Sequence, residues 1–92
     1  MRTLYKICFQ SAEAEKLELY AEAVVTADIF GFVEVSGIVF IDSSELIITP
    51  EDDKVRKIFK NTVRTLIPLA SIVRIDEIQM STNTPVIRLY KE

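Results

Sequence analysis

The 92-residue chain has no histidine, one cysteine and two glycines, and these shortages remove most catalytic chemistries before any motif is sought. Without histidine there is no side chain whose ordinary pKa lies near neutrality, and the commonest metal ligand is missing. Ser–His–Asp and Cys–His arrangements are excluded on the same ground. A single thiol, Cys8, can neither close an intrachain disulfide nor build a structural zinc site, and it fits a reducing cytoplasm. Gly31 and Gly37 stand six apart within strand-like sequence, so no glycine-rich phosphate loop exists. No stretch approaches the roughly 18 apolar residues that span a bilayer. The opening Met1 to Lys6 lacks the apolar region of a signal peptide. A net charge of −3 provides no global positive field toward nucleic acid or an anionic membrane. A cytoplasmic, non-enzymatic protein with no cofactor and no metal is expected.

Carboxylates are what remains for catalysis. Asp76 and Glu77 are adjacent, so on a strand they point to opposite faces and cannot act as a pair. Glu51, Asp52 and Asp53 sit where a helix begins and suit its positive dipole end. An enzyme would need two carboxylates assembled from distant strands, for instance Glu34 with Asp76.

What the chain does have is apolar content, 49% of its residues. Its length allows one domain, residues 1–92, and a domain of this size buries only about 60% of its unfolded surface. Some of that apolar content therefore stays outside, as interfaces require. Homo-oligomerisation, most simply a dimer, is expected from composition alone.

The most patterned stretch is Arg64 to Ile78. Pro68 cannot donate to a ladder and holds Ile67 extended, so a strand ends there. Leu69 and Ile72 stand one helical turn apart, which predicts a short 3₁₀ corner over Leu69 to Ile72 with both side chains tucked inward. Val73 and Ile75 then alternate with Arg74 and Asp76, and the corner is expected to join two neighbouring strands.

Elsewhere, Thr3 to Gln10 reads as a strand with Tyr5, Ile7 and Phe9 on one face, followed by a hairpin loop at Ser11 to Glu15. Residues 12–27 are rich in helix formers, yet Leu17, Leu19, Ala21, Ala23 and Val25 alternate with mostly polar residues. Period outweighs propensity, and a strand is predicted. Thr26 to Ile29 reads as a turn that Thr26 could cap as one helical turn. Phe32 to Ile41 is apolar on both faces, with Val33, Val35, Val39 and Ile41 against Phe32, Ile38 and Phe40. It reads as a central or interface strand, bent or bulged at Gly37. Asp42 to Ser44 reads as a turn and Glu45 to Ile48 as the returning strand. Thr49-Pro50-Glu51-Asp52 starts a helix over about residues 50–60, with Val55, Ile58 and Phe59 as its apolar stripe. Asp52 with Arg56 and Asp53 with Lys57 are spaced to pair along it. Met80 to Thr84 reads as a polar loop and Val86 to Tyr90 as a last strand.

Together these elements predict an α+β domain: a twisted antiparallel sheet of six to seven strands forming a small SH3-like barrel or roll, with one short helix. Two sets of residues stand out as site candidates. Lys54, Arg56, Lys57 and Lys60, with Arg64, form a basic cluster that could carry an RNA backbone. The competing reading is a solvated helix face balanced by the acids before it. Cys8 between Ile7 and Phe9 reads as a small half-buried hydrophobe rather than a reactive thiol.

The phrases Tyr5-Lys6-Ile7, Glu18-Leu19-Tyr20-Ala21, Asp28-Ile29-Phe30-Gly31-Phe32-Val33-Glu34-Val35, and Arg64-Thr65-Leu66-Ile67-Pro68 running into Ile72-Val73-Arg74-Ile75-Asp76-Glu77 carry a resemblance. They are similar to domain-of-unknown-function family eighteen-twenty, small bacterial cytoplasmic proteins, over about Tyr5 to Ile78. The resemblance implies no activity, cofactor or catalytic residue. It directs attention to Arg64, Arg74, Asp76 and Glu34 as polar members of its phrases. They could line an interaction surface, or hold strand register by pairing with one another or with Arg88. The function expected is a small β-rich interaction module, a homo-oligomer that binds a protein partner. The alternative is an RNA-binding regulator using residues 54–64.

Overall fold

A computed structural model of the protein describes residues 2–41, 50–80 and 86–88, with side chains for residues 2–40 and 54–80. In chain order these form β1 (Arg2–Gln10), β2 (Lys16–Thr26), β3 (Phe32–Ile41), α1 (Pro50–Phe59), β4 (Arg64–Pro68), a 3₁₀ turn (Leu69–Ser71), β5 (Ile72–Met80) and β6 (Val86–Arg88). The expected strand Glu45 to Ile48, the turn Asp42 to Ser44, the Thr49 cap, the acidic side chains at 51–53 with their pairings, the loop beyond Met80 and residue Tyr90 lie outside the described residues.

Period prevails over propensity in β2, where Leu17, Leu19 and Ala21 are buried and Glu18 is exposed. Pairing with β1 places Leu19 opposite Ile7 and Leu17 opposite Phe9, so helix formers are held extended by the apolar face they share. The β1–β2 loop needs neither Gly nor Asn, because the Ser11 hydroxyl accepts hydrogen bonds from the backbone N–H groups of Glu13 and Glu15. Ala14 takes the left-handed conformation there, at φ 65°. Between β2 and β3 the chain turns through Ala27 to Gly31, closed by the Ala27 N–H donating to the Phe32 carbonyl. No helical turn capped by Thr26 forms; Thr26 is the last residue of β2.

The strands make one antiparallel sheet in the order β4-β3-β2-β1-β5, with the short β6 paired to the end of β3. Among the described residues five strands form the continuous path with β6 off it, and β4 and β5, expected to be neighbours, are instead found at its opposite ends. The sheet is open, not a closed barrel. It is nevertheless strongly curled, as the register requires. Ile67 is opposite Val33, which is opposite Thr26; Ile72 is opposite Phe9, which is opposite Leu17. Across a flat sheet those positions would be about 35 Å apart, from roughly 3.3 Å per residue along β2 and roughly 4.8 Å per strand across. The chain from Ile67 to Ile72 reaches about 17 Å at most, and a 3₁₀ turn shortens it further. Only a curled sheet lets so short a link join its two ends.

The core lies on the inner face. Ile7, Phe9, Leu17, Leu19, Ala21, Val33, Val35, Ile38 and Ile67 pack with Val55 and Phe59 of α1. The Phe9 and Phe59 rings meet edge to face at 6.1 Å. In β5 the register slips between Cys8 and Phe9, leaving Val73 as an extra residue. The slip turns Ile72 toward the core and Val73 outward. Leu69, expected to point inward, is instead 56% exposed.

Gly37 explains why simple alternation fails in β3. Val33 and Val35 are buried before it, and Ile38 after it, so the inward phase shifts by one residue. β2 shifts at the same level, from Leu17, Leu19 and Ala21 to Val24. Gly37 has φ +65°, and a Cβ there would sit 2.8 Å from the Glu22 Cβ. The position demands glycine on two counts, backbone conformation and close approach of β2. Replacing Gly37 by Ala is expected to lower stability by about 1–3 kcal/mol in urea denaturation. An unchanged midpoint would show that the phase shift is not strained.

Candidate interaction surface

On the outer face, ladder partners bring charged residues of β5, β1 and β2 into rows. Asp76 is opposite Lys6 and Lys6 opposite Tyr20; Arg74 is opposite Cys8 and Cys8 opposite Glu18. Arg74 donates from Nε and Nη2 to Asp76 Oδ1, at 3.3 and 3.0 Å, along its own strand. Lys6 lies 3.5 Å from Glu18. The Glu18 carboxylate, and after it Tyr20, raises the Lys6 pKa above its ordinary value. Cys8 is a free, half-buried thiol within this row.

At the opposite edge, Arg64 of β4 reaches Glu34 of β3 at 3.4 Å. The ladder sets Arg64 opposite Ser36 and Glu34 opposite Leu66, so this is a diagonal cross-strand pair. The four residues singled out by sequence therefore form two separate ion pairs, one between β4 and β3 and one within β5, at opposite ends of the path. Arg88 enters only by position, opposite Val39. Asp76 and Glu77 do face opposite ways: the Tyr5 hydroxyl donates to Glu77 at 3.0 Å, while Asp76 lies beside Arg74.

The basic cluster is dispersed by its neighbours. Lys54 bridges Glu15 at 2.6 Å and Glu13 at 3.2 Å, tying α1 to the β1–β2 loop. Its pKa is raised, chiefly by the hydrogen bond to Glu15. Arg56 lays its guanidinium 3.6 Å from the centre of the Phe40 ring. Lys57 and Lys60 are exposed.

The surface feature that sequence reading missed is apolar. At the β2–β3 turn Phe30 is fully exposed and Ile29 about half exposed. The Leu69 N–H donates to the Gly31 carbonyl at 2.8 Å, which sets exposed Leu69 beside them. Across three strands, Val25, Glu34 and Leu66 lie in one row, with Val25 and Leu66 exposed. Ile29, Phe30 and Leu69 thus gather at the β2–β3 turn, and Val25 and Leu66 flank Glu34 farther along the same strands; together they are called the apolar rim. The available signal was Ile29-Phe30-Gly31, two bulky apolar residues in a turn that offers them no strand phase to bury in.

Among the described residues no group of three or more Cys, Asp and Glu could hold a metal ion, and no helix is long and apolar enough to cross a membrane.

A known family matches the chain. The family described as Domain of unknown function (DUF1820) matches residues 3–91, and the chain belongs to it. No curated protein and no solved structure matches.

The Tyr5–Glu77 pair gives a spectroscopic test of the inner edge. Hydrogen bonding to Glu77, then its charge, raises the Tyr5 pKa above 10.0. A raised pKa means that the folded state holds the proton more tightly. The contribution is therefore complete below the ordinary value and lost as pH rises through the folded one. The tyrosinate absorbance assigned to Tyr5, from the difference against Tyr5→Phe, is expected to appear at higher pH than in Glu77→Gln. Titration at the same pH in both proteins would remove the pair.

Proposed function

We propose that this chain, a member of the DUF1820 family, is a non-enzymatic interaction module that self-associates and binds a protein partner. The observation that carries the reading is the apolar rim. A fully exposed Phe30 next to Ile29 in a turn that Leu69 joins, with Val25 and Leu66 exposed on the adjoining strands, is more apolar surface than one side chain leaves by chance, and small proteins keep such surface for interfaces. An aromatic anchor at the centre of a polar-rimmed patch is the usual composition of a binding hot spot. The Glu34–Arg64 pair, next to Val25 and Leu66, would set orientation more than strength. We read the curled sheet as an SH3-like roll; the stagger between its ends and the 3₁₀ turn before β5 support that reading.

The RNA-binding alternative has less behind it. Lys54 is engaged by two glutamates and Arg56 by Phe40, on a chain of net charge −3.

The test is native copurification, with the partner identified and then rebound as a purified protein. Phe30→Asp and Leu69→Asp are expected to weaken that binding at least tenfold, about 1.4 kcal/mol, while thermal melting stays within a few degrees of the parent. A partner bound equally well by both variants would overturn the role of the rim. Retention of RNA at low salt, lost in Lys57→Glu/Lys60→Glu, would favour the alternative instead.

A further inference from the structure

The far edge of the sheet carries a second message. β5 runs for nine residues, Ile72 to Met80, and ends the strand path, so its outer backbone edge has no strand beside it among the described residues. Proteins usually guard such an edge with Pro, brevity, a bulge or charged side chains, above all Lys; β5 has the slip at Val73 near its start and charges of both signs after it. β5 has no Pro, no Lys and considerable length, whereas β4, the other end strand, is five residues long and finishes on Pro68. Ile75 on this edge is exposed, as is Val73 at the slip.

We infer that β5 is the self-association edge, pairing antiparallel with β5 of a second copy about a two-fold axis at Ile75. This rests on the self-associating module proposed above and specifies its geometry. The register follows from charge. With Ile75 opposite its own counterpart, Arg74 of each copy faces Asp76 of the other, twice per dimer. An axis at Arg74 would oppose two arginines, at Asp76 two aspartates, and at Glu77 two glutamates. Like charges directly opposite are unfavourable in a ladder, and an axis at Val73 or Ile78 avoids them without pairing Arg74 with Asp76, so Ile75 is the centre that sets opposite charges face to face. An axis lying between residues would run the inner face of one copy into the outer face of the other. The isolated protomer already anticipates the arrangement. Both Arg74 donors converge on Asp76 Oδ1, and no described residue bonds Oδ2, which can accept from the Arg74 of the second copy. The side chains are accessible enough to exchange partners, 67% exposed for Arg74 and 34% for Asp76. The symmetric ladder would form a square of four alternating charges over an Ile75–Ile75 contact and satisfy the free edge.

Sedimentation equilibrium of two charge-reversal variants tests this, singly and mixed. Arg74→Glu makes the strand acidic and Asp76→Arg makes it basic. Each alone is expected to raise the dimer dissociation constant at least tenfold. The equimolar mixture is expected to recover dimer at about the parental affinity, because every cross-strand pair is then opposite in sign. An ion pair within one strand cannot produce that recovery. Ile75→Cys in a Cys8→Ser background is expected to give a disulfide-linked dimer under mild oxidation, which fixes the axis. A parental dimer insensitive to either reversal, a mixture without recovery, or no crosslink at 75 would overturn the β5 edge while leaving self-association standing. A strictly monomeric parent at high concentration would overturn both.

Discussion

The short link between β4 and β5 constrains the rest of the fold. Three residues, Leu69 to Ser71, join strands at opposite ends of the sheet, and the ladder registers place those ends far apart on a flat surface. The sheet must roll until the ends meet. Gly37 serves that roll: with β2 close behind it, only a residue without Cβ lets both strands shift their inward phase at one level. The slip at Val73 serves it too, turning Ile72 under the sheet just where the link arrives. α1 then covers the inner face, with Phe59 against Phe9. The Leu69 N–H bond to Gly31 fastens the link to the β2–β3 turn.

The same constraint shapes the surface. Drawing the link onto the β2–β3 turn gathers Ile29, Phe30 and Leu69 into one apolar rim, although they are far apart in the chain. Keeping β4 and β5 on separate edges leaves β5 with no strand beside its outer flank among the described residues. The two ion pairs, Arg64–Glu34 and Arg74–Asp76, mark these separate regions. On the readings proposed above, partner binding and β5 self-pairing use different residues of the sheet. Exposed ion pairs contribute little to stability, typically below about 1 kcal/mol, so their value lies in register and orientation.

Much of the fold was legible in the sequence. Alternation in Thr3 to Gln10 and Leu17 to Val25 marked β1 and β2 despite the helix-forming composition of the latter. Pro68 with the Leu69–Ile72 spacing located the corner, and of the expected α1 stripe Val55 and Phe59 are buried while Ile58 is exposed. Strand order was not legible, because proximity in sequence favours a hairpin and nothing within Arg64 to Ile78 records which strand each half will meet. The phase shift at Gly37 was visible only as a suspected bend, since it depends on Glu22 across the ladder. Leu69 was misplaced for a related reason: its spacing from Ile72 is helical, but the fold beneath the turn presents the β2–β3 turn there and not the core. The charged residues were identifiable, but not their division into two pairs. The apolar rim was hidden because its members come together only after the sheet rolls.

The account stands most directly on strand order, and interstrand proton contacts by nuclear magnetic resonance measure it. Contacts between Cys8 and Arg74 and between Glu34 and Leu66, with a protected Leu69 amide, are the expected result. Contacts running directly between β4 and β5, as in a simple hairpin, would contradict the rolled sheet and the surfaces derived from it.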